Sequence, residues 1–170
     1  MTRFTKAHRQ RLLVPILLLL GALSACQDDR TVGADLESVV VKRVVDGDTV
    51  ELSDGRKIRY IGVDTPEISH SQGEEDDCFG QEARIFNEAL VLGKTVELEY
   101  DVEPKDRYGR TLAYVWLVSG TNRRLVAEEL IRKGYGKVLT IPPNDLYVER
   151  LEAAEDMARS DGAGLWSQCP

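Results

Sequence analysis

The stretch VVVKRVVDGDTVELSDGRKIRYIGVDTPE, residues 39–67, decides the fold. Residues 39–45 read as a strand, Asp46-Gly47 as a turn and 49–52 as a second strand. Asp54-Gly55 is a hairpin signal, and residues 57–63 supply the third strand. Carboxylates fall at strand ends and turns: Asp46, Asp48, Asp64 and Glu67. Turns favour aspartate for backbone reasons alone, so the acids by themselves say little. Arg59 says more, because it alternates with Ile58, Tyr60 and Ile61 inside a strand, where an arginine needs an anion to meet. Pro66 stiffens the backbone between Thr65 and Glu67 and holds a carboxylate at a defined place. Oxygen ligands suit a hard cation such as calcium, and an arginine suits a phosphate. Acids and an arginine together are what phosphodiester cleavage needs.

Downstream, residues 68–78 read as a loop made acidic by Glu74-Glu75-Asp76-Asp77, a run whose ordinary reading is solvated surface. Residues 81–92 carry Ala83, Phe86 and Leu90 on one side, with Ile85 and Ala89 adjacent, which predicts an amphipathic helix ending at Gly93. Strands are expected at 95–102 and 110–118, where Tyr114 and Trp116 read as packing in preference to a base-stacking platform. A second helix is expected over 123–133, with Val126, Leu130 and Ile131 inward. Asn144 reads as the N-cap of a third helix over 145–159. Trp166 falls in the closing segment.

DGDT at 46–49, R-x-x-x-x-DTPE at 59–67 and DRYGR at 106–110 occur in one order. Together they resemble the thermonuclease family, the nucleases related to staphylococcal nuclease, over about residues 39–167. The resemblance implies an α+β chain built on an OB-fold, a five-stranded barrel with three packed helices. Short turns suggest antiparallel pairing throughout. It also implies Asp48, Asp64 and the Thr65 carbonyl as calcium ligands, Glu67 as the acid acting on the attacking water, and Arg59 and Arg110 as phosphate-binding groups. Arg107 resembles a basic substrate-contacting position, Tyr108 a residue packing the loop that presents Arg110, and Trp166 a packing residue. Asp46 stays open between metal binding and capping its own turn. The pattern departs where the family has two tyrosines against the terminal nucleotide; this chain has Thr140 and Pro142-Pro143.

The first quarter has another character. Arg3, Lys6, Arg9 and Arg11 precede the apolar run 12–20, too short for a membrane span, which reads as a secretory signal. Leu23-Ser24-Ala25-Cys26 resembles a bacterial lipobox, which implies cleavage before Cys26 and a lipid on its sulfur. An ordinary signal with a chance cysteine is the alternative. Gln27 resembles the residue that sends such lipoproteins to the outer membrane of a Gram-negative cell. The domains expected are thus a signal over 1–25, a lipidated tether over 26–38 and one folded domain over 39–168. If Cys26 is lipidated, Cys78 and Cys169 remain in an oxidising compartment, and a disulfide between them is expected against two free thiols.

Four of the 22 basic residues and none of the 29 acidic ones leave with the signal, so the mature balance is 18 against 29, a net charge of −11. That field does not favour a polyphosphate partner, so DNA or RNA binding must be local and salt-sensitive. No Cys/His cluster suggests zinc. The reading is a monomeric, envelope-anchored calcium nuclease; an oligonucleotide-binding module without catalysis and a structural envelope lipoprotein are the alternatives.

Overall fold

The structure, a computed structural model, describes residues 36–69, 73 and 75–170. The signal, Cys26 and the tether up to residue 35, together with Glu74, lie outside the described residues. Among the described residues no helix is long and apolar enough to cross a membrane.

Strand β1 (Glu37–Val44) serves two neighbours. Its first half pairs antiparallel with β5 (Thr95–Glu99), and its second half, past an irregularity between Val41 and Arg43, pairs antiparallel with β2 (Thr49–Leu52). Such an irregularity bends a strand and lets it turn a corner of the sheet. The hairpin at Asp54-Gly55 forms as expected: Gly55 N–H donates to Leu52 O, and Asp54 Oδ1 accepts Arg56 N–H, before β3 (Lys57–Tyr60).

The single third strand expected over 57–63 is two. Gly62 takes φ +88°, and a Cβ there would lie 2.3 Å from Leu151 Cδ1, so the chain turns at a residue that only glycine tolerates. Beyond it β4 (Gly62–Asp64) leaves the barrel and pairs with β8 (Lys137–Leu139).

The strand order β3-β2-β1-β5-β6 closes through a further pairing of β3 with β6 (Thr111–Ser119), which makes the five-stranded OB-type barrel. That closing pairing is parallel, with Ile58 opposite Thr111 and Arg59 opposite Leu112. Antiparallel pairing throughout is therefore incorrect, for a geometric reason. Five strands that alternate in direction around a closed ring must leave one neighbouring pair pointing the same way.

Leu52, Ile58, Leu98, Tyr114 and Leu130 fill the core, each at most 1% exposed, and Trp116 is buried with them. Helix α1 (Gly80–Val91) buries Ala83, Asn87 and Val91, with Phe86 and Leu90 partly buried and Ile85 and Ala89 exposed. Arg123 and Arg124 do not begin a helix. They lie in β7 (Asn122–Leu125), paired to β6, and α2 (Val126–Arg132) follows with Val126, Leu130 and Ile131 buried. Sheet pairing and the stacking of Arg123 on the Trp116 ring at 4.5 Å override local propensity there.

Asn144 is not the expected N-cap. Its buried side chain bonds both the N–H and the carbonyl of Glu103 at 2.8 Å, and α3 (Val148–Ser160) starts four residues later. A single turn, α4 (Leu165–Gln168), ends the fold beside a Cys78–Cys169 disulfide. Trp166 lies there under Lys137 and Arg159, whose charged ends are 5.4 and 3.8 Å from its ring.

Candidate active site

The turn from Asp46 to Thr49 is built by its own side chains. Asp46 Oδ1 accepts the Asp48 N–H at 3.1 Å, so Asp46 caps the turn. Gly47 lets the turn press on Thr65, since a Cβ there would sit 2.5 Å from Thr65 Oγ1. From α1, Asn87 donates to the Asp46 carbonyl at 3.2 Å and accepts the Tyr60 hydroxyl at 3.1 Å.

Asp48, 4% exposed, is the most enclosed of the acids. One oxygen pairs with Arg59 Nε at 3.1 Å and accepts Thr49 Oγ1 at 3.1 Å. The other accepts Thr65 N–H at 3.0 Å and Thr65 Oγ1 at 3.1 Å. Burial pushes its carboxyl up to about 7, against the pull of Arg59.

Arg59 finds its anions within the chain. Its guanidinium reaches Asp48, Asp64 Oδ1 at 2.8 Å, the Tyr60 carbonyl at 2.9 Å and the Val63 carbonyl at 2.7 Å.

Asp64 is exposed and Thr65 buried. Glu67 stands on the rim, open to solvent but with its carboxyl partly desolvated by the wall beside it. That desolvation, then the charges of Asp46 and Asp64, raises its pKa. The Glu67 backbone is held from the acidic loop: its N–H donates to Asp77 Oδ2 at 3.1 Å, and its carbonyl accepts the Asp77 N–H at 3.0 Å. Asp76 likewise accepts the Ser69 N–H at 2.8 Å. Asp76 and Asp77 are thus more than solvated surface.

Across the barrel seam, Asp106 organises the loop before β6. Its Oδ1 accepts the N–H groups of Tyr108 and Arg110, both at 2.9 Å, and its Oδ2 accepts Arg110 Nε at 2.6 Å. Tyr108 is not buried as loop packing; it is 70% exposed, with Arg107 and Arg110 at 4.8 and 5.7 Å from its ring centre.

Arg59, Asp64, Glu67, Arg107 and Arg110 line one cleft of about 630 Å³. Asp48 and Thr65 are not on its wall but directly behind Arg59 and Asp64. Leu139 and Ile141, the neighbours of Thr140, supply an aliphatic side. Tyr135 stacks on Phe86, and Tyr147 donates to Glu99, so neither faces the cleft wall.

Among the described residues no three His, Cys, Asp or Glu side chains gather as a metal site. The implied set has only two carboxylates, completed by a backbone carbonyl. Its donor chemistry is of the hard-cation type, all oxygen with no sulfur or imidazole, and a cation at Asp48 would take the place of the Arg59, Thr49 and Thr65 donors that now hold both its oxygens.

A family model described as staphylococcal nuclease homologue matches residues 57–168. Thermonucleases of Staphylococcus intermedius and Staphylococcus hyicus are each 39% identical to this chain. The alignments cover 78% and 79% of this chain and 77% and 78% of those proteins. The chain belongs to the staphylococcal nuclease family. Endonuclease YncB of Bacillus subtilis is 33% identical over 78% of this chain and 63% of its own.

Within this staphylococcal nuclease homologue, sequence reasoning missed Asn87, Asp77 and Asp106 as builders of the site. Asp106 alone left a signal, as the aspartate opening D-R-Y-G-R, a composition that favours a side-chain-capped turn.

Proposed function

We propose that this protein is a calcium-dependent nuclease that hydrolyses the phosphodiester bonds of DNA, and of RNA, by attack of water. The observation that carries the reading is the one cleft lined by Arg59, Asp64, Glu67 and Arg110. Relatives named thermonuclease and endonuclease support the reaction class.

Asp48, Asp64 and the Thr65 carbonyl would hold calcium, which when bound supplies positive charge against the scissile phosphate. Arg110 has Nε engaged by Asp106, which leaves both terminal nitrogens to fork onto phosphate oxygens. Arg59, with most donors committed within the chain, keeps one terminal N–H for the same phosphate. Glu67 takes a proton from the attacking water, and a raised pKa makes it the stronger base. Arginine, with a pKa above ~12, serves as charge and not as the acid, and the leaving oxygen takes its proton from solvent water.

Export, lipidation of Cys26 and an envelope location belong to this proposal on the sequence alone. The test incubates the full chain with plasmid, single-stranded DNA or RNA, in calcium or in excess EGTA with magnesium. Cleavage is expected in calcium and lost in the chelator. Undiminished hydrolysis in EGTA with magnesium would sink the calcium assignment. Binding of calcium and oligonucleotide with no turnover over hours would replace the enzyme with a binding module.

A further inference from the structure

We propose that Asp77 is a positioning residue for Glu67, holding the backbone from which that carboxylate reaches the attacking water. The inference rests on the nuclease reading and on the role given to Glu67 there.

Three observations carry it. Asp77 grips Glu67 from both sides of the residue, accepting its N–H through Oδ2 at 3.1 Å and donating its own N–H to the Glu67 carbonyl at 3.0 Å. A backbone held at both its donor and its acceptor has little freedom to swing, and Pro66 restricts the preceding bond.

Asp77 is itself fastened. Its carbonyl accepts the Gly80 N–H at 2.9 Å, so it closes the turn that opens α1, and the next residue, Cys78, is bonded to Cys169 at the far end of the chain. Phe79 sits at φ 74°, a left-handed conformation costly for a residue with a side chain, and its ring stacks on Tyr135 at 5.3 Å. A strained turn held by a disulfide and a ring stack is over-determined, and Asp77 is what that turn presents.

Asp77 is also exposed and absent from the cleft wall. It does not stand where it would touch substrate, so it acts through Glu67 or not at all. A displacement of about 1 Å at a reacting group can cost 100-fold in rate.

The experiment measures kcat and KM of the full chain on a single-stranded oligodeoxynucleotide at saturating calcium. Four variants are compared, with thermal midpoints as the check on folding: Asp77→Ala, Asp77→Asn, Glu67→Gln and the double variant Glu67→Gln/Asp77→Ala. Asp77→Ala should lower kcat by about 10- to 100-fold with KM little changed. Asp77→Asn keeps an acceptor oxygen for the Glu67 N–H while removing the charge, and should retain most of the rate. In the double variant the Asp77 change should add nothing, because the carboxylate it positions is already gone.

Equal losses in Asp77→Ala and Asp77→Asn would overturn the proposal in favour of a charge effect. A further loss in the double variant would overturn it by showing that Asp77 acts elsewhere. A low rate in Glu67→Gln beside a parental rate in Asp77→Ala defeats positioning alone, whereas a parental rate in Glu67→Gln defeats the role of Glu67 and positioning with it.

Discussion

Arg59 and Arg110 are read from the sequence as one kind of residue, and the structure separates them. Arg59 is 9% exposed and reaches four oxygens of its own chain, two of them on Asp48 and Asp64. Removing one partner of a buried ion pair typically costs about 3–5 kcal/mol. Arg59→Ala should therefore lose that order of stability together with activity. Arg110 is only part-buried and gives one side-chain bond to Asp106, so Arg110→Ala should lower the urea midpoint much less than Arg59→Ala does. Its activity should still fall by roughly 30- to several-thousand-fold, from a lost charge contact worth about 2–5 kcal/mol in the transition state. An equal fall in stability for both variants would contradict the assignment.

Asp106 gives the pH signature at this scale. Burial draws its carboxyl up, but hydrogen bonds from the Arg110 side chain and from the Arg110 and Tyr108 backbones outweigh that and hold it below the usual 3.8. A lowered folded pKa favours the ionised form in the fold, so its contribution is present above 3.8 and disappears as pH falls through the lower value. The stability gap between parent and Asp106→Asn should be constant above about pH 5 and close on acidification. Urea midpoints from pH 3 to 8 measure it, and a gap that widens towards acid would refute the pairing.

At the scale of elements, the seam between β3 and β6 builds the site. Parallel pairing sets Ile58 opposite Thr111, which brings the segment running to Glu67 beside the loop ending at Arg110. The five barrel strands were legible from alternation and turn residues, and the three signature segments from their resemblance to a known family. The parallel seam follows from their odd number once the barrel is closed, and pairwise turn reasoning does not contain that constraint. Arg123 and Asn144 misled because they answer to Glu97 and Glu103, far along the chain, and Arg124 because it pairs across the sheet with Leu117. The split at Gly62 was hidden for the same reason, since the neighbour that forbids a side chain there is Leu151. The local part of the DGDT turn was readable and its packing on Thr65 was not. Gly47→Ala tests that packing, because its methyl must push Thr65 Oγ1 from 2.5 Å and loosen the Asp48–Thr65 hydrogen bonds. Overpacking of this kind costs about 1–3 kcal/mol, read as a lowered thermal midpoint. An unchanged midpoint would mean that the turn yields freely.

For the molecule as a whole, the open question is how a chain of net charge −7 approaches a polyanion. Many exposed cations are already matched: Lys42 and Arg43 by Glu51, Arg56 by Glu37 and Asp54, Arg150 by Glu128 and Arg159 by Glu155. Ion pairs of this kind leave little basic surface to track a nucleic-acid backbone. The cleft gathers Arg59, Arg107 and Arg110 on its wall, and Arg59 and Arg110 keep terminal N–H groups beyond their own ion pairs. If these three arginines make the phosphate contacts, single-stranded DNA should bind with a log–log salt slope of about −2, from −0.7 per phosphate neutralised. Affinity should then fall by roughly 20-fold between 50 and 200 mM salt, a modest loss beside that of an extended basic groove. The measurement is titration of a fluorescent oligonucleotide across that range, in calcium, with the slow Glu67→Gln variant so that the probe survives. A slope near −6 would require a second basic surface, and a flat dependence would remove the arginines as the source of affinity. Replacing Arg107 with alanine should reduce the slope by about one contact, or −0.7, and weaken binding to every sequence alike.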